Sequence, residues 1–485
     1  MPLSSQPLDA FIQSPESNDL ARLIAPKLKS LLKLQRFSTV QYQYHLSKTL
    51  LNLYLAWSSN KDKCVGISRR KNYYDTDQGI YQNKKLSYTY MINCLNGLER
   101  LNYLELVKGG WIDYEQGTSE TSRYRALKPL TDLFIENGFN QQSIFKDPDA
   151  LTIRLRGKKP RKTQKNKNPR GKLISYNASK ETRRMTKHLK TINEVLKNID
   201  INLYVSNREM TALNKQMANK NEEDPSNLPE IQFNRKWLYR VFNESFDQGG
   251  RFYGGYWQEI PSKYRSRITI DHCMTFEIDF DSLHPAILYL KEGYKKEDYL
   301  DPYQLTNSIG SKSFGSVKGP RNAIKISMNI IFNSRSYQEA LSAIQKSDIK
   351  LPKDYKSFKD LIRDIEQYHS PIAHYFYKGM GLELQRMDSN IVEKVLIELI
   401  KENTIALPVH DSFICKAGDL GLLIEKMNKA TKHYLGSELF ISIDPPKLDR
   451  PLKALTINNS KYYSRRFNYL KRFNKEEDPT EPYIL

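Results

Sequence analysis

At 485 residues the chain is long enough for roughly two to four domains, each able to bury its own core. Hydrophobic residues at 39% and charged residues at 27% are those of an ordinary globular protein; no apolar run reaches the length of about eighteen residues that a membrane helix needs, and the N-terminus lacks the charged start and apolar core of a signal peptide, so a cytoplasmic protein is expected. Lys and Arg total 76 against 55 acids, a net charge of +21, and a surplus this large favours a polyanionic partner because neutralising phosphates releases counterions.

Residues 1–20 are polar and expected to be disordered. Helical patterns follow near 19–35 and 39–57, the second opened by Ser38-Thr39, and Ser87 caps a further helix with Ile92, Leu95, Leu98 and Leu101 on one face. A short strand from Tyr103 to Val107, a polar turn-rich stretch and a second strand reaching Leu127 come next. A helix followed by a two-stranded hairpin is the order of a winged helix, so 21–135 is expected to be a winged-helix-like module for DNA binding or docking; simple packing is the alternative.

Within 151–190 there are 15 Lys or Arg and a single acid, Glu181. Its centre, RGKKPRKTQKNKNPRGK, has no apolar periodicity, and 136–177 reads as a basic linker able to lie along a phosphate backbone. Helical periodicity returns over 178–235 through Met185, Leu189, Ile192, Val195 and Leu196; this region is thumb-like by position. Residues 236–450 are mixed α/β, with strands at Thr275–Phe280 and Ala406–Cys415. The tail, 451–485, interleaves aromatics with cations, which suits stacking on a nucleic-acid strand or a docked terminal helix. Cys64, Cys94, Cys273 and Cys415 form no CxxC pair and read as free thiols.

Two acids stand out. Asp279 ends the apolar run Thr275-Phe-Glu-Ile-Asp279, and Asp411 interrupts Ala406-Leu-Pro-Val-His410-Asp411-Ser412-Phe413-Ile414. An acid within a buried strand is unfavourable unless it sits at a turn or binds a cation, and two such acids are what two-metal phosphoryl transfer requires. Between them, Arg321, Lys325 and Asn329 recur at i, i+4 and i+8 on one helix face, with Phe332 close by: cations for triphosphate oxygens and a ring for a base. Alone, that row would read as a surface helix.

In combination these segments resemble the palm and fingers of family A DNA polymerases and the related single-subunit phage-type RNA polymerases. Asp247-Gln-Gly-Gly-Arg251 is similar to their D/T-x-x-G-R motif, and Tyr256-Trp-Gln258-Glu-Ile-Pro261 resembles the N-L-Q-N-I-P stretch of the DNA enzymes. Asp279 to His284 resembles motif A, Arg321-x-x-x-Lys325 the start of motif B, and His410-Asp411 motif C. The resemblance spans about residues 235–440. It implies Asp279 and Asp411 as ligands of two Mg²⁺ ions (Mn²⁺ able to substitute), phosphate contacts for Arg321 and Lys325, and primer–template contacts for Arg251, Gln258 and His410. His410-Asp411-Ser412 departs from the usual H-D-E and is closer to the RNA polymerases, while Lys325-x-x-x-Asn329 and Asp279-Phe-Asp-Ser-Leu-His284-Pro echo family B. His284 falls where DNA polymerases place a bulky side chain against the ribose 2′-OH, and an imidazole there either blocks that hydroxyl or hydrogen-bonds to it.

The fold expected is a multidomain α+β protein, a right-hand polymerase of palm, fingers and thumb behind a winged-helix-like module. The function expected is a DNA polymerase of a phage or plasmid, without a proofreading exonuclease, acting on DNA template and primer with nucleoside triphosphates. The alternatives are an RNA polymerase or primase making an RNA transcript, and a non-catalytic winged-helix replication initiator or regulator. Oligomeric state is not legible.

Overall fold

The computed structural model describes residues 5–75, 79–109, 112–113, 118–119, 121–148, 150–160, 170–219, 231–299, 301–305 and 318–444. The tail over 451–485 lies outside the described residues, as do 161–169 of the basic stretch. The fold is α+β, and no helix among the described residues is long and apolar enough to cross a membrane.

The N-terminal core begins earlier than expected. Strand β1 (Ser5–Pro7) precedes helix α1 (Pro15–Leu31), whose Ser14 cap accepts a hydrogen bond from the Ser17 amide. The 1–20 segment is therefore built in from residue 5, because Ile12 and Leu20 are buried in the core and Lys48 Nζ donates to the Ile12 carbonyl at 2.8 Å. Helix α2 (Thr39–Ser59) is buried along most of its length and packs on α1. Strand β2 (Cys64–Gly66), helix α3 (Tyr88–Arg100), strand β3 (Leu104–Lys108), strand β4 (Arg123–Ala126) and helix α4 (Lys128–Glu136) follow. The sheet order is β1-β2-β4-β3, with β1 parallel to β2 and the other pairs antiparallel. The helix-then-hairpin order read from the sequence is thus present as α3, β3 and β4.

The stretch read as a basic linker differs. Its sequence Ile153-Arg-Leu-Arg156 alternates, and these residues form strand β5 (Ile153–Arg156), with Ile153 and Leu155 in the second core and both arginines on the other face. The chain then returns on itself, because a bridge between Arg156 and Leu173 closes the base of a loop over 157–172. A four-residue strand among so many cations leaves little periodicity to read.

Helix α5 (Lys180–Asn198) starts at a capping box between Ser179 and Thr182 and buries Met185, Leu189, Ile192 and Leu196. Strand β6 (Ile201–Leu203) and helix α6 (Asn207–Asn219) follow. Strands β7 (Tyr239–Asn243) and β8 (Ser245–Tyr253) make a hairpin that β5 extends, in the order β8-β7-β5. Strand β9 (Ile268–Ile270), strand β10 (Cys273–Phe280), helix α7 (Leu283–Lys291), helix α8 (Lys318–Asn333), helix α9 (Gly381–Lys401), strand β11 (Leu407–Val409), strand β12 (Ser412–Lys416), helix α10 (Leu420–Leu435) and strand β13 (Ile441–Asp444) complete the second unit. Its six-stranded sheet runs β6-β9-β10-β12-β11, with β13 also on β10, and every pairing is antiparallel. Strand β10 is thereby bonded on both sides, which fixes whatever its outward side chains carry.

A buried ion network ties α5 to this unit. Arg240 is fully buried and donates from Nη1 to Glu393 Oε2 at 2.7 Å, while His188 Nδ1 meets Oε1 of the same glutamate at 2.6 Å. Removing one partner of such a group strands the other charge in a dry site, so it holds α5, β7 and α9 in one arrangement.

Candidate active site

Strands β10 and β12 bring the two sequence-distant acids together. Asp279 pairs with Ser412 in the antiparallel register, and Asp411 is the residue immediately before Ser412. The turn joining β11 to β12 is tight: His410 takes a left-handed backbone at φ 60°, as does Ser282 at φ 52° three residues after Asp279. Such conformations cost on the order of 1–3 kcal/mol in a residue other than glycine, so packing holds both turns.

The electrostatics are dominated by the two carboxylates. The Asp279 carboxyl is pushed up to about 7, chiefly by burial and next by Asp411, with Glu277 and Asp281 adding to the rise and Lys325 opposing it. Asp279 Oδ1 is buried with no hydrogen-bond partner. Two close carboxylates, one with an orphaned oxygen, fit a hard divalent ion, which commonly takes one or two protein carboxylates and completes its shell with water and substrate phosphate. Among the described residues no group of three or more His, Cys, Asp or Glu stands at metal-holding distance. Any Mg²⁺ here therefore draws on Asp279 and Asp411, with the rest of its oxygens supplied by substrate and solvent.

Helix α8 carries the cationic row. Arg321, Lys325 and Asn329 share the solvent side, as their spacing predicts, but their states differ. Arg321 is held by Asp301, Nε to Oδ2 at 2.7 Å and Nη2 to Oδ1 at 3.2 Å, and its guanidinium lies 5.2 Å from the Tyr303 ring centre. Lys325 is exposed, pairs with no carboxylate among the described residues, and is the cation that most lowers the Asp279 pKa. Phe332 corrects the sequence reading: it is 1% exposed and meets Phe376 edge-on in the core. The period alone does not decide it: Phe332 lies seven residues after Lys325, at nearly the same angle round the helix, but at the C-terminal end of α8, where Phe376 covers it, so it offers no ring to a base.

The proposed primer–template residues are engaged within the protein. Arg251, on β8, donates from Nε and Nη2 to Asp388 Oδ2 on α9, and His284 Nε2 meets the same oxygen at 3.1 Å. Burial lowers the Arg251 pKa, but the Asp388 carboxylate outweighs it and the net shift is upward. Gln258 is turned inward: its Nε2 donates to the carbonyls of Phe252 and Pro408, each at 3.0 Å, and Trp257 Nε1 donates to Pro408 as well. These two side chains brace the turn that carries His410 and Asp411. His410 is itself solvent-facing at the turn, with Tyr253 at 6.2 Å between ring centres.

Two site residues escape sequence reasoning. Asp388 is fully buried and binds both Arg251 and His284, yet in sequence it is one acid on an amphipathic helix. Glu277, two residues before Asp279 on the same face of β10, accepts from Ser412 Oγ at 2.9 Å and from Arg265 Nε at 2.9 Å. Its signal was present: the i, i+2 spacing of Glu277 and Asp279 places both acids on one side of the strand.

No family model matches the chain, and no curated protein matches it. Among solved structures it is similar to the POL domain of Pol1 from M. smegmatis in complex with DNA primer-template and dNTP. That similarity has 13% sequence identity and a TM-score of 0.30, and it covers 88% of this chain and 72% of that one.

Proposed function

We propose that the chain is a template-directed nucleic-acid polymerase that joins nucleotides by two-metal nucleotidyl transfer, and that it makes DNA. The observation that carries this reading is the Asp279–Asp411 pair, two acids 132 positions apart, one at the end of β10 and the other in the turn just before its register partner Ser412 on β12. Mg²⁺ held there would supply Lewis acidity toward a primer 3′-hydroxyl and charge neutralisation toward pyrophosphate. Asp279 and Asp411 hold the ions. Lys325, exposed and in no ion pair among the described residues, takes a phosphate oxygen of the incoming nucleotide; Arg321 does the same on exchanging Asp301 for phosphate. Arg251 and His410 face the primer–template end of the site.

His284 stands at the sugar. Because the buried Asp388 carboxylate accepts from its Nε2, the ring is a fixed wall and not a swinging one, which favours exclusion of the 2′-hydroxyl and hence deoxynucleotides. In this reading β6 to β13 form the palm, α8 belongs to the fingers, and α5 and α6 occupy the thumb's position. The N-terminal module docks DNA as a winged helix does, in the replication of a phage or plasmid.

Primer extension with Mg²⁺ tests this directly, comparing deoxynucleotides with ribonucleotides, with and without a primer. Primer-dependent incorporation of deoxynucleotides supports the reading; ribonucleotide incorporation without a primer converts it to a primase or RNA polymerase. Sequence-specific duplex binding with no synthesis favours a replication initiator and ends it.

A further inference from the structure

We propose that one face of the β8-β7-β5 sheet is a track for an unpaired nucleic-acid strand, leading from the aspartate pair to a tyrosine-lined pocket against the N-terminal module. This rests on the polymerase reading above.

The register builds the track. Val241 on β7 stands opposite Arg251 on one side and Arg154 on the other, so all three side chains share a face. One step along, Tyr239 stands opposite Tyr253 on that same face. With strands ~4.8 Å apart, Arg154 and Arg251 are separated by roughly 10 Å across the sheet. These residues are half-buried, whereas Arg240, Phe242 and Phe252 on the other face are sealed in the core.

Arg154 is the informative residue. Its guanidinium lies 3.7 Å over the Tyr239 ring, and no carboxylate among the described residues forms an ion pair with it. Burial lowers its pKa, so the charge is held at a cost. Asp9, the acid that acts on it electrostatically, is already paired with Lys146 at 2.8 Å. Stacking occupies a face of the guanidinium and leaves its N–H edges, the geometry that receives a phosphate.

Beyond Arg154 lies a pocket of about 370 Å³ whose walls include Phe11, Tyr73, Tyr74 and Tyr81. Tyr81 is fixed in place, its hydroxyl accepting from the Leu155 amide at 2.8 Å. The pocket is of a size for one nucleotide, with aromatic walls for a base. Bases within a duplex are not available to such a wall, and this selects a single strand. At the far end of β5, Arg156 Nη1 donates to the Gly171 carbonyl at 2.9 Å, at the root of the 157–172 loop, whose sequence has eight Lys or Arg and no acid.

Fluorescence anisotropy on the full chain tests this, using a blunt duplex and the same duplex with a single-stranded overhang. The wild-type protein is expected to bind the overhang substrate more tightly. Arg154→Gln with Arg156→Gln is expected to weaken overhang binding about tenfold and to flatten its salt dependence by about 0.7 per lost contact, leaving the blunt duplex unaffected. Tyr73→Ala, at an exposed ring, is expected to weaken overhang binding about fivefold or more with the salt slope unchanged. Arg156→Gln alone, with melting measured beside it, guards against misfolding of the double variant. Wild-type affinity in the variants, or equal losses for both substrates, overturns the track while incorporation still stands. Loss of both binding and incorporation in the wild-type protein overturns the polymerase reading with it.

Discussion

Arg251 reaches Asp388 with two nitrogens on a single carboxylate oxygen, Nε at 2.9 Å and Nη2 at 2.5 Å. Asp388 is fully buried, so this pair is dry on the acid's side. Arg251→Ala and Asp388→Ala are each expected to destabilise the protein by about 3–5 kcal/mol, because each strands its partner's charge. The double variant is expected to lose less than the sum of the two. Urea unfolding of the four-member cycle measures the coupling, and simple additivity would show that the pair is not one unit.

Asp279→Ala and Asp411→Ala are each expected to lower Mg²⁺-dependent incorporation by about 10³-fold or more while leaving primer–template affinity within about twofold. Single-turnover extension and anisotropy separate the two effects. Full activity in either variant removes that carboxylate from the site.

The Asp279 carboxyl also sets a pH dependence in metal-free protein. Its folded pKa is raised to about 7, so between the unfolded carboxylate value near 4 and that point the folded state binds the extra proton. Stability therefore falls as pH rises through this window and levels off above it. Asp279→Asn is expected to flatten the slope and to be the more stable protein at pH 8 by roughly 2–4 kcal/mol, in line with about 1.4 kcal/mol per pK unit. Mg²⁺ is expected to stabilise the wild-type protein and not the variant. Thermal melts across pH, with and without Mg²⁺, check both.

Helix α8 offers a contrast between a covered and an open residue, Phe332 and Lys325. Phe332→Ala is expected to cost about 3–5 kcal/mol of stability, and Phe332→Leu to leave the nucleotide KM unchanged. Lys325→Ala is expected to leave the melting temperature alone and raise the nucleotide KM by about tenfold or more. A KM effect specific to Phe332→Leu would restore the ring to a nucleotide-contacting role.

The two catalytic candidates were legible because an acid inside an apolar strand has few physical excuses. The cationic row was legible because spacings of four residues have one geometric meaning. Phe332 was misjudged because its spacing does put it beside the cationic row, and only the packing of Phe376 over that end of the helix, which no spacing reveals, buries it. Asp388 gave no signal, since on an amphipathic helix a buried acid and a solvated one look alike until the partner strand is placed. Strand β5 was masked by composition, its two core residues alternating with arginines inside a basic run.

Five consecutive residue pairs, from Thr275 with Lys416 to Asp279 with Ser412, lock β10 to β12. Because strand side chains alternate faces, a slip of one residue would turn one acid away from the other, whereas the helices between the two strands are under no such arithmetic. Drift in this lineage is therefore free to lengthen, shorten or replace the connecting segment, and has almost no room to insert or delete a single residue within either short strand.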